Sequence, residues 1–412
     1  FWEASTRLRL ETLVPMWSTS LFFLHCIGLQ SCLGLGGPNT LEQDLQAVIN
    51  SSKLFGITLA VALPNRSVIT VVSGHSSILP PKHVNTTDKF LWGSATKMYT
   101  AAAVLRLVDK QRFSLDDAAL PLLDSLFIKI NGTSLEAYFG PGLRNVTVRQ
   151  LLGMSAGIAD FDLRSRSYQL AHPTDDLGPV QNIGFANRTI QYPPGTKVAY
   201  SSTNYELLGL ILAQAAGATS WDTYDQATGF PADLMAEMPH TAFGVHGTCK
   251  KYGTVHGLCT ERVIKDTYFM SCTNGWTCGN LLSNGADAAT FARALLGNEE
   301  RVLKKETLQQ MQKMRPITFG WGKSRLYYGL GLMDMSMMVG EPAGSLAFVG
   351  HGGETYGFNS FVGYLRSADA GVAIASNNEL GLSGRDLWKV VRTIKHHVGL
   401  DTAAQETEAI LV

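Results

Sequence analysis

The chain lacks an excess of charge of either sign. Its 412 residues include 34 Lys plus Arg and 34 Asp plus Glu, and only 17% of the residues are charged. Nucleic acids and anionic membrane surfaces attract proteins through clustered basic charge, so this balance supports neither kind of partner. Tandem repeats and low-complexity tracts are also missing. With 45% hydrophobic residues, the composition is that of an ordinary globular protein with a large core, in one or two domains.

Long hydrophobic runs are scarce as well. A short apolar run at residues 21–29 is followed by small residues through Gly37. A membrane-spanning helix needs about 20 apolar residues, so this run is more typical of the core of a signal peptide. We therefore predict a leader and junction over residues 1–40, with Met16 as a candidate start. An uncleaved N-terminal anchor is the alternative.

Glycosylation sequons, in contrast, are more frequent than chance predicts. They place acceptor side chains at Asn50, Asn65, Asn85, Asn131, Asn145 and Asn187. Asn-x-Ser/Thr is the acceptor pattern for N-linked glycans on secreted chains. Together with the leader, the sequons predict a eukaryotic-type glycoprotein that is secreted or resides in the lumen of the secretory pathway.

Cysteine is rare, with six in the whole chain. Two of these, Cys26 and Cys32, fall in the predicted leader. The four that remain are Cys249, Cys259, Cys272 and Cys278. In an oxidising compartment an even number of cysteines predicts two disulfides, and three pairings are open.

A metal site is the alternative role for these cysteines. His246 stands three residues before Cys249, and His256 stands three residues before Cys259. However, the chain has no Cys-x-x-Cys, the usual element of a structural zinc site. We therefore predict disulfides and neither a metal nor a cofactor.

Ser94 and Lys97 form a Ser-x-x-Lys sequence at the start of a predicted helix. The helix is indicated by the i, i+3, i+4, i+7 spacing of Ala101, Val104, Leu105 and Val108. A spacing of three places the hydroxyl and the amine on one helix face. A hydroxyl becomes a good nucleophile only when a neighbour takes its proton, and a desolvated neutral lysine is able to do so. Ser94 is therefore a candidate nucleophile.

The order of predicted elements indicates the fold class. Strand-like runs occur early, at residues 57–63 and 68–72, and late, at residues 346–349, 361–365 and 371–375. Helical patterns begin at Lys97, Val148 and Asn204, and further ones cover residues 287–296 and 384–398. We predict an α/β (α+β) fold, in which an antiparallel sheet built from both chain ends is flanked by helices and interrupted by a large, mostly helical insertion.

Two further motifs follow in the chain. Pro193-Pro194-Gly195-Thr196 leads to Tyr200-Ser201-Ser202-Thr203-Asn204-Tyr205, and His351-Gly352-Gly353-Glu354 lies between two strand-like runs. With the Ser-x-x-Lys helix and residues 146–152, these motifs resemble, in order, the serine β-lactamase and penicillin-binding superfamily. The resemblance covers nearly all of residues 41–400. It is strongest to the class C branch with D-alanyl-D-alanine carboxypeptidases, D-aminopeptidases and esterases.

The resemblance implies a β-lactamase/transpeptidase-like fold. Residues 41–400 would form a single catalytic domain, with an α/β part from residues 41–93 and 320–400, a helical part from residues 94–319, and a tail at residues 401–412. Ser94 would form an acyl-enzyme, while Lys97 and Tyr200 would share the general-base and general-acid work, with the identity of the base left open.

The resemblance also implies an oxyanion hole. It would consist of the backbone N–H groups of Ser94 and Glu354. Gly352 and Gly353, which lack side chains, would let a substrate approach the strand edge.

Two residues depart from the lactamase pattern. His351 replaces a lysine and offers less positive charge to an anionic substrate. Ser202 replaces the asparagine of Tyr-x-Asn and satisfies fewer hydrogen-bonding partners. These departures favour a secreted serine hydrolase that acts as an esterase or a D-peptidase/carboxypeptidase-like amidase on a small ester, peptide or lactam. The alternatives are a weakened member that binds a ligand or protein partner in the old cleft, and a true β-lactamase.

Overall fold

The computed structural model describes residues 39–259, 265–273 and 275–400. The predicted tail at residues 401–412, and all but the last two residues of the predicted leader at residues 1–40, lie outside the described residues. The boundaries predicted for the leader, the catalytic domain and the tail stay predictions.

The strands are short in the middle of the chain and long near its two ends. They are β1 (Gly56–Ala62), β2 (Val68–Ser77), β3 (Lys82–His83), β4 (Phe90–Leu91), β5 (Leu258–Cys259), β6 (Lys265–Asp266), β7 (Leu282–Ser283), β8 (Arg315–Pro316), β9 (Tyr327–Tyr328), β10 (Met333–Asp334), β11 (Phe348–Thr355), β12 (Phe358–Leu365) and β13 (Ala370–Ser376).

The helices fill most of the region between the long strands. They are α1 (Leu41–Ser51), α2 (Thr96–Asp109), α3 (Asp124–Asn131), α4 (Leu135–Phe139), α5 (Val148–Leu152), α6 (Asp162–Ala171), α7 (Pro179–Phe185), α8 (Thr203–Ala215), α9 (Ala232–Glu237), α10 (Trp276–Gly279), α11 (Gly285–Leu296), α12 (Lys305–Met311) and α13 (Gly384–His397).

Within the described residues, nine strands form one antiparallel sheet in the order β3-β2-β1-β13-β12-β11-β10-β9-β8. The early strand β1 pairs with the late strand β13, with Ile57 opposite Ser376. The prediction of a sheet built from both chain ends, with a mostly helical region between them, is therefore confirmed.

Helices cover both faces of the central strands. Helix α11 packs against β1, β12 and β13, while α1 packs against β2 and α13. Every residue of β1 and β13 is consequently buried, which explains why both strands read as near-continuous apolar runs rather than alternating ones.

The helical region is built around α2 and α8. These two helices pack against each other and against the short helix α10. Residues Thr203 through Ala213 of α8 are all buried, as expected for a helix that is apolar all round. None of the described helices has the length and hydropathy needed to cross a membrane.

The cysteine prediction needs one correction. Cys249 and Cys272 form a disulfide, but the expected second disulfide is absent from the described residues. The sulfur of Cys259 lies 3.9 Å from Nη2 of Arg166, whereas Cys278 is a buried thiol 3.5 Å from a carboxylate oxygen of Glu206. The two sulfurs therefore lie in different surroundings.

Candidate active site

Ser94 lies in a tight turn that joins β4 to α2. Strand β4 pairs with β7, and the buried Trp92 fixes the end of this pair by donating from Nε1 to the carbonyl of Ser283 at 2.9 Å. The chain then forms a single 3₁₀ turn, Gly93–Ala95, before α2 begins. Gly93 has φ +51°, and a Cβ atom there would lie 2.6 Å from the carbonyl oxygen of Glu354. Only glycine therefore fits before Ser94.

Lys97 is fully buried one helical turn after Ser94. Its Nζ donates to Oγ of Ser94 at 2.9 Å and to the carbonyl of Cys278 at 2.9 Å. Burial lowers the pKa of Lys97, but interactions with Tyr200, Cys278 and Asp162 outweigh burial and raise this pKa well above its ordinary value. Lys97 is therefore an ammonium group at neutral pH.

Tyr200 lies on the other side of Lys97, whose Nζ is 5.0 Å from the centroid of the Tyr200 ring. Burial raises the pKa of Tyr200 to about 12, although the charge and hydrogen bonding of Lys97 and the hydroxyl of Ser94 act to lower it. The Tyr200 hydroxyl is buried and makes no hydrogen bond of regular geometry. The Ser94 hydroxyl, the Lys97 ammonium group and the Tyr200 hydroxyl, all of which are able to exchange a proton, thus lie close together.

Strand β11 passes directly against the Ser94 turn. A Cβ atom on Gly353 would lie 1.9 Å from the carbonyl oxygen of Trp92, whereas one on Gly352 would meet its nearest neighbour at an ordinary 3.5 Å. The backbone nitrogen of Glu354 lies 2.8 Å from the position of a Cβ atom on Gly93. Because Gly353 has no side chain, β11 lies directly against the Ser94 turn. This close approach places the amide of Glu354 next to the turn.

The motif around His351 lies inside β11, not between two strands as the sequence indicated. His351 is fully buried. Its Nδ1 donates to the carbonyl of Gly352, so its Nε2 accepts from the hydroxyl of Tyr328 at 3.1 Å. Burial and the charge of Lys97 lower the pKa of His351 to about 3. The neutral ring offers no charge to an anionic substrate.

Ser202 is buried and faces two carboxyl groups that sequence reasoning missed. Its backbone N–H donates to Oδ1 of Asp160 at 3.0 Å, and its hydroxyl donates to Oδ2 of Asp162 at 2.8 Å. Both aspartates are exposed. The signal that could have found them is a pair of acidic residues two apart in an otherwise apolar segment after Gly157.

Asp160 differs from an ordinary surface carboxyl group. Although part of its surface is exposed, the surrounding protein removes hydration from its carboxyl group and so raises its pKa. The neighbouring charge of Asp162 raises this pKa further, while Lys97 partly offsets the shift. The two aspartates and Lys97 thus interact electrostatically.

A second acidic group lies behind Lys97. Glu206, on α8, is fully buried; its Oε1 accepts from Asn182 at 3.1 Å and from the thiol of Cys278 at 3.5 Å, and its Oε2 has no hydrogen-bond partner in the described structure. Burial raises the pKa of Glu206 to about 8. A carboxyl group within the apolar run of α8 was the missed signal.

No group of three or more His, Cys, Asp or Glu side chains in the described part of the chain is arranged to hold a metal ion. The two histidines of the alternative metal motif are engaged elsewhere. His246 packs against the ring of Trp221 at 5.1 Å, and His256 bonds to Asp266 at 2.6 Å.

Comparison with known protein families shows which family this chain belongs to. The model of the family described as Beta-lactamase matches residues 39–393. The chain belongs to the beta-lactamase family. This confirms the resemblance seen in the motifs and places the protein, with its beta-lactamase fold, within the serine β-lactamase and penicillin-binding superfamily.

Solved structures agree with this family in fold. D-amino acid amidase from Ochrobactrum anthropi SV3, complexed with L-phenylalanine amide, has a TM-score of 0.69 and 22% identity, covering 86% of this chain and 99% of that chain. The octameric penicillin-binding protein homologue from Pyrococcus abyssi has a TM-score of 0.64 and 21% identity, covering 87% of this chain and 77% of that chain. At these identities the similarity is one of fold alone.

A curated relative matches over a shorter segment. Protein flp of Staphylococcus aureus is 24% identical over 172 residues, which are 42% of this chain and 31% of that protein. The chain thus spans about a third of the length of the curated relatives it matches.

Proposed function

We propose that this protein is a secreted serine hydrolase that forms an acyl-enzyme on Ser94 and acts as an esterase or a D-peptidase/carboxypeptidase-like amidase. The observation that carries the proposal is the hydrogen bond from Lys97 to Ser94, with the Tyr200 hydroxyl interacting with both. A nucleophile in contact with two groups that exchange protons is the arrangement that acyl transfer needs.

The proposed reaction begins with attack of Ser94 Oγ on the carbonyl carbon of the substrate. The Ser94 proton passes to Tyr200 in its phenolate form, which the charge of Lys97 stabilises, because Lys97 already holds its own proton and cannot accept another. The N–H groups of Ser94 and Glu354 bind the oxyanion. Collapse of the intermediate expels the alcohol or amine, which takes the proton from Tyr200. Water then hydrolyses the acyl-enzyme.

An esterase or amidase is favoured over a true β-lactamase. The ring of His351 is neutral and its Nε2 is occupied by Tyr328, so the site lacks the fixed positive charge that a β-lactam carboxylate requires at this position. The similarity in fold to a D-amino acid amidase supports an amide or ester of a small acyl compound as the substrate.

Labelling with a fluorescent phosphonate tests the proposal. Wild-type protein should gain the phosphonate mass on Ser94 and should hydrolyse p-nitrophenyl butyrate. Ser94→Ala should do neither, while the control Ser167→Ala, on the exposed side of α6, should do both. The proposal fails if wild-type protein neither labels nor turns over the ester.

A second candidate is a binding protein that has lost catalysis. The observation that favours it is the Ser202 hydroxyl, which donates to Asp162 and so has no proton left for a substrate carbonyl. Binding of a D-alanyl peptide or of penicillin without any covalent mass addition would support this candidate and contradict the hydrolase.

Secretion and glycosylation are part of the proposal. The disulfide Cys249–Cys272 is typical of oxidising compartments. Exposed acceptor side chains occur at Asn50, Asn65, Asn85, Asn145 and Asn187. The full-length natural chain expressed in cultured animal cells should appear in the medium and lose mass on treatment with a peptide N-glycosidase; retention in the cytosol without glycan would contradict secretion.

A further inference from the structure

The turn between β8 and β9, called the Trp321 turn below, presents an aromatic side chain to solvent. It runs from Ile317 to Leu326, and the N–H group of Ile317 donates to the carbonyl of Leu326 at 2.9 Å. At the tip, Trp321 stands between Gly320 and Gly322, whose φ angles are +73° and +74°. Glycine adopts such angles without strain, so the chain is able to turn on both sides of Trp321. As a result Trp321 is 61% exposed.

A second aromatic side chain of this turn is also exposed. Phe319 is 46% exposed, and its ring lies 6.2 Å from the ring of Tyr192. Aromatic side chains carry large apolar surfaces, and exposed apolar side chains that are grouped together mark surfaces that bind an apolar partner. Phe319 and Trp321 are two residues apart, so the Trp321 turn presents such a group.

The charge around the turn has one sign. Residues 307–333 contain neither Asp nor Glu, and they contain the basic residues Lys313, Arg315, Lys323 and Arg325. All four are exposed, and none of them forms an ion pair with any residue that the structure describes. The balance of 34 basic and 34 acidic residues over the whole chain therefore conceals a local excess of positive charge.

This combination fits the surface of an anionic lipid bilayer. Tryptophan is favoured at the boundary between water and hydrocarbon, where its ring is partly buried and its N–H group stays hydrated. Basic side chains next to it are attracted to anionic headgroups. Proteins that bind single-stranded nucleic acids also combine aromatic and basic residues, but they place the aromatic rings as platforms in a basic groove. Here Trp321 lies at the tip of a turn, which favours the bilayer.

The Trp321 turn is attached to the candidate active site. The ring of Trp321 lies 5.2 Å from the ring of Tyr200. The N–H groups of Thr318 and Phe319 donate to the carbonyl of Val198, at 2.9 Å and 3.2 Å. The turn is thus bonded to the segment that directly precedes Tyr200, so a surface bound by the turn would lie beside this site.

A second segment places an exposed apolar side chain near the same site. Leu163, on α6, is 84% exposed. The residue before it, Asp162, accepts a hydrogen bond from the hydroxyl of Ser202. Two segments that are far apart in the chain therefore each carry an exposed apolar side chain close to the Tyr200 and Ser202 motif.

We propose that the Trp321 turn, with the basic residues that flank it, binds the surface of bilayers that contain anionic phospholipids. Trp321 inserts among the headgroups, and Lys323 and Arg325 contact the lipid phosphates and carboxylates. Binding of this kind goes beyond the proposed hydrolase chemistry and does not depend on it. It places the Ser94 site next to the lipid surface.

Sedimentation with lipid vesicles tests the proposal. The purified secreted protein should sediment with vesicles of phosphatidylcholine that contain about 30% phosphatidylserine at about 0.05 M NaCl. It should remain in the supernatant with vesicles of phosphatidylcholine alone. Raising the salt to about 0.5 M should release it from the anionic vesicles, because salt screens the attraction between the basic residues and the headgroups.

Two variants test the role of the turn itself. The double substitution Lys323→Gln with Arg325→Gln should lower the affinity for the anionic vesicles about 30-fold, which is about 5-fold for each cation removed. Trp321→Ala should lower it about 10-fold, because its apolar surface is lost from the contact. Circular dichroism checks that both variants are folded, as expected for changes at exposed positions.

Each variant has a matched control. Lys110→Gln with Arg112→Gln removes two exposed basic residues of the same spacing directly after α2, at the end of this helix that is remote from Ser94. Ile128→Ala removes an exposed apolar side chain on α3. Both controls should bind the anionic vesicles with wild-type affinity.

The outcomes distinguish this proposal from the hydrolase. Failure of wild-type protein to sediment with the anionic vesicles at low salt, or wild-type affinity in the variants at Trp321, Lys323 and Arg325, would overturn membrane binding. Tighter binding to a single-stranded thymidine oligonucleotide than to the vesicles would overturn it in favour of a nucleic-acid partner. Phosphonate labelling of Ser94 is measured without lipid, so absence of labelling would overturn the hydrolase alone.

Discussion

Lys97 donates a hydrogen bond to Ser94 across 2.9 Å, from a side chain that has no exposure to solvent. The same ammonium group bonds to the carbonyl of Cys278. A buried cation without such partners would lose its proton. These contacts keep the charge in place and fix the nitrogen against the nucleophile, so Lys97 orients Ser94 and stabilises negative charge on Tyr200.

Lys97→Gln should therefore abolish most of the reactivity of Ser94 without unfolding the protein. We expect the rate of phosphonate labelling to fall by roughly 10²- to 10⁴-fold, the usual contribution of a general acid–base group. Gel fluorescence against time measures this rate, and circular dichroism checks the fold. The control Lys197→Gln removes a lysine that packs on Tyr192 and should label at the wild-type rate. A labelling rate for Lys97→Gln within threefold of wild type would contradict the role of Lys97.

The fold and the candidate site residues Ser94, Lys97 and Tyr200 could be predicted from the sequence for a physical reason. Spacing along a helix places Ser94 and Lys97 on one face whatever surrounds them, and the runs at residues 57–63 and 371–375 indicated strands near both ends of the chain. Tyr200 was predicted as a site residue from the order of the motifs along the chain. That order reflects the connectivity of the fold, so it also indicates which segments meet at the site.

The remaining part of the site depends on contacts between distant segments. Nothing local in residues 160–162 indicates that Asp162 would accept a hydrogen bond from the hydroxyl of Ser202, forty residues away. Likewise, the role of Gly353 follows from the carbonyl of Trp92, on a different strand. Such pairs become visible only when the chain is folded, and for the same reason the sequence could not choose among three disulfide pairings.

His351 should make the protein less stable in acid. Its pKa is about 3 in the folded protein and about 6.5 when unfolded. Below pH 6.5 the unfolded chain takes up a proton that the folded chain refuses. The stabilisation is thus complete above pH 6.5 and is lost as the pH falls toward 3, at up to about 1.4 kcal/mol per pH unit.

Urea unfolding of His351→Gln at pH 7.5 and pH 5.0 measures this effect. The glutamine accepts the hydrogen bond from Tyr328 but does not titrate. The excess stability of wild type over the variant should shrink by up to about 2 kcal/mol between the two pH values. His83→Gln, at an exposed histidine outside the site, is the control. A gap between wild type and His351→Gln that stays constant with pH would show that His351 titrates normally.

The disulfide Cys249–Cys272 should stabilise the long segment that it closes. Its cysteines are 23 residues apart. The double substitution Cys249→Ala with Cys272→Ala removes the disulfide that closes this loop, and it should lower the free energy of unfolding by about 2–4 kcal/mol. Peptide mapping without reductant should recover the Cys249–Cys272 link, with the Cys278 thiol open to alkylation after denaturation. A Cys272–Cys278 link would contradict the structure.

The sequon at Asn131 should differ in occupancy from the exposed ones. Its Nδ2 atom, which would carry the glycan, is buried, and its Oδ1 lies 3.4 Å from the hydroxyl of Tyr138. A glycan there would require the end of α3 to open. Enzymatic deglycosylation in ¹⁸O-labelled water, followed by mass spectrometry of secreted protein, should mark Asn65 and Asn85 but leave Asn131 largely unmodified. Full occupancy of Asn131 would contradict the packing of α3.

Glu206 should act on stability in the direction opposite to His351. Its pKa is about 8 in the folded protein and about 4.3 when unfolded, so the folded chain holds a proton that the unfolded chain releases. The stabilisation is complete below pH 4 and is lost as the pH rises through 8. Glu206→Gln keeps an oxygen for Asn182 but cannot ionise, so it should become more stable than wild type by a few kcal/mol between pH 5 and pH 8. Thermal melts across that range measure the difference, with the exposed Glu306→Gln as control. If wild type and Glu206→Gln change in parallel with pH, Glu206 is already ionised beside Lys97 in the folded protein, and the buried pair is an ion pair instead.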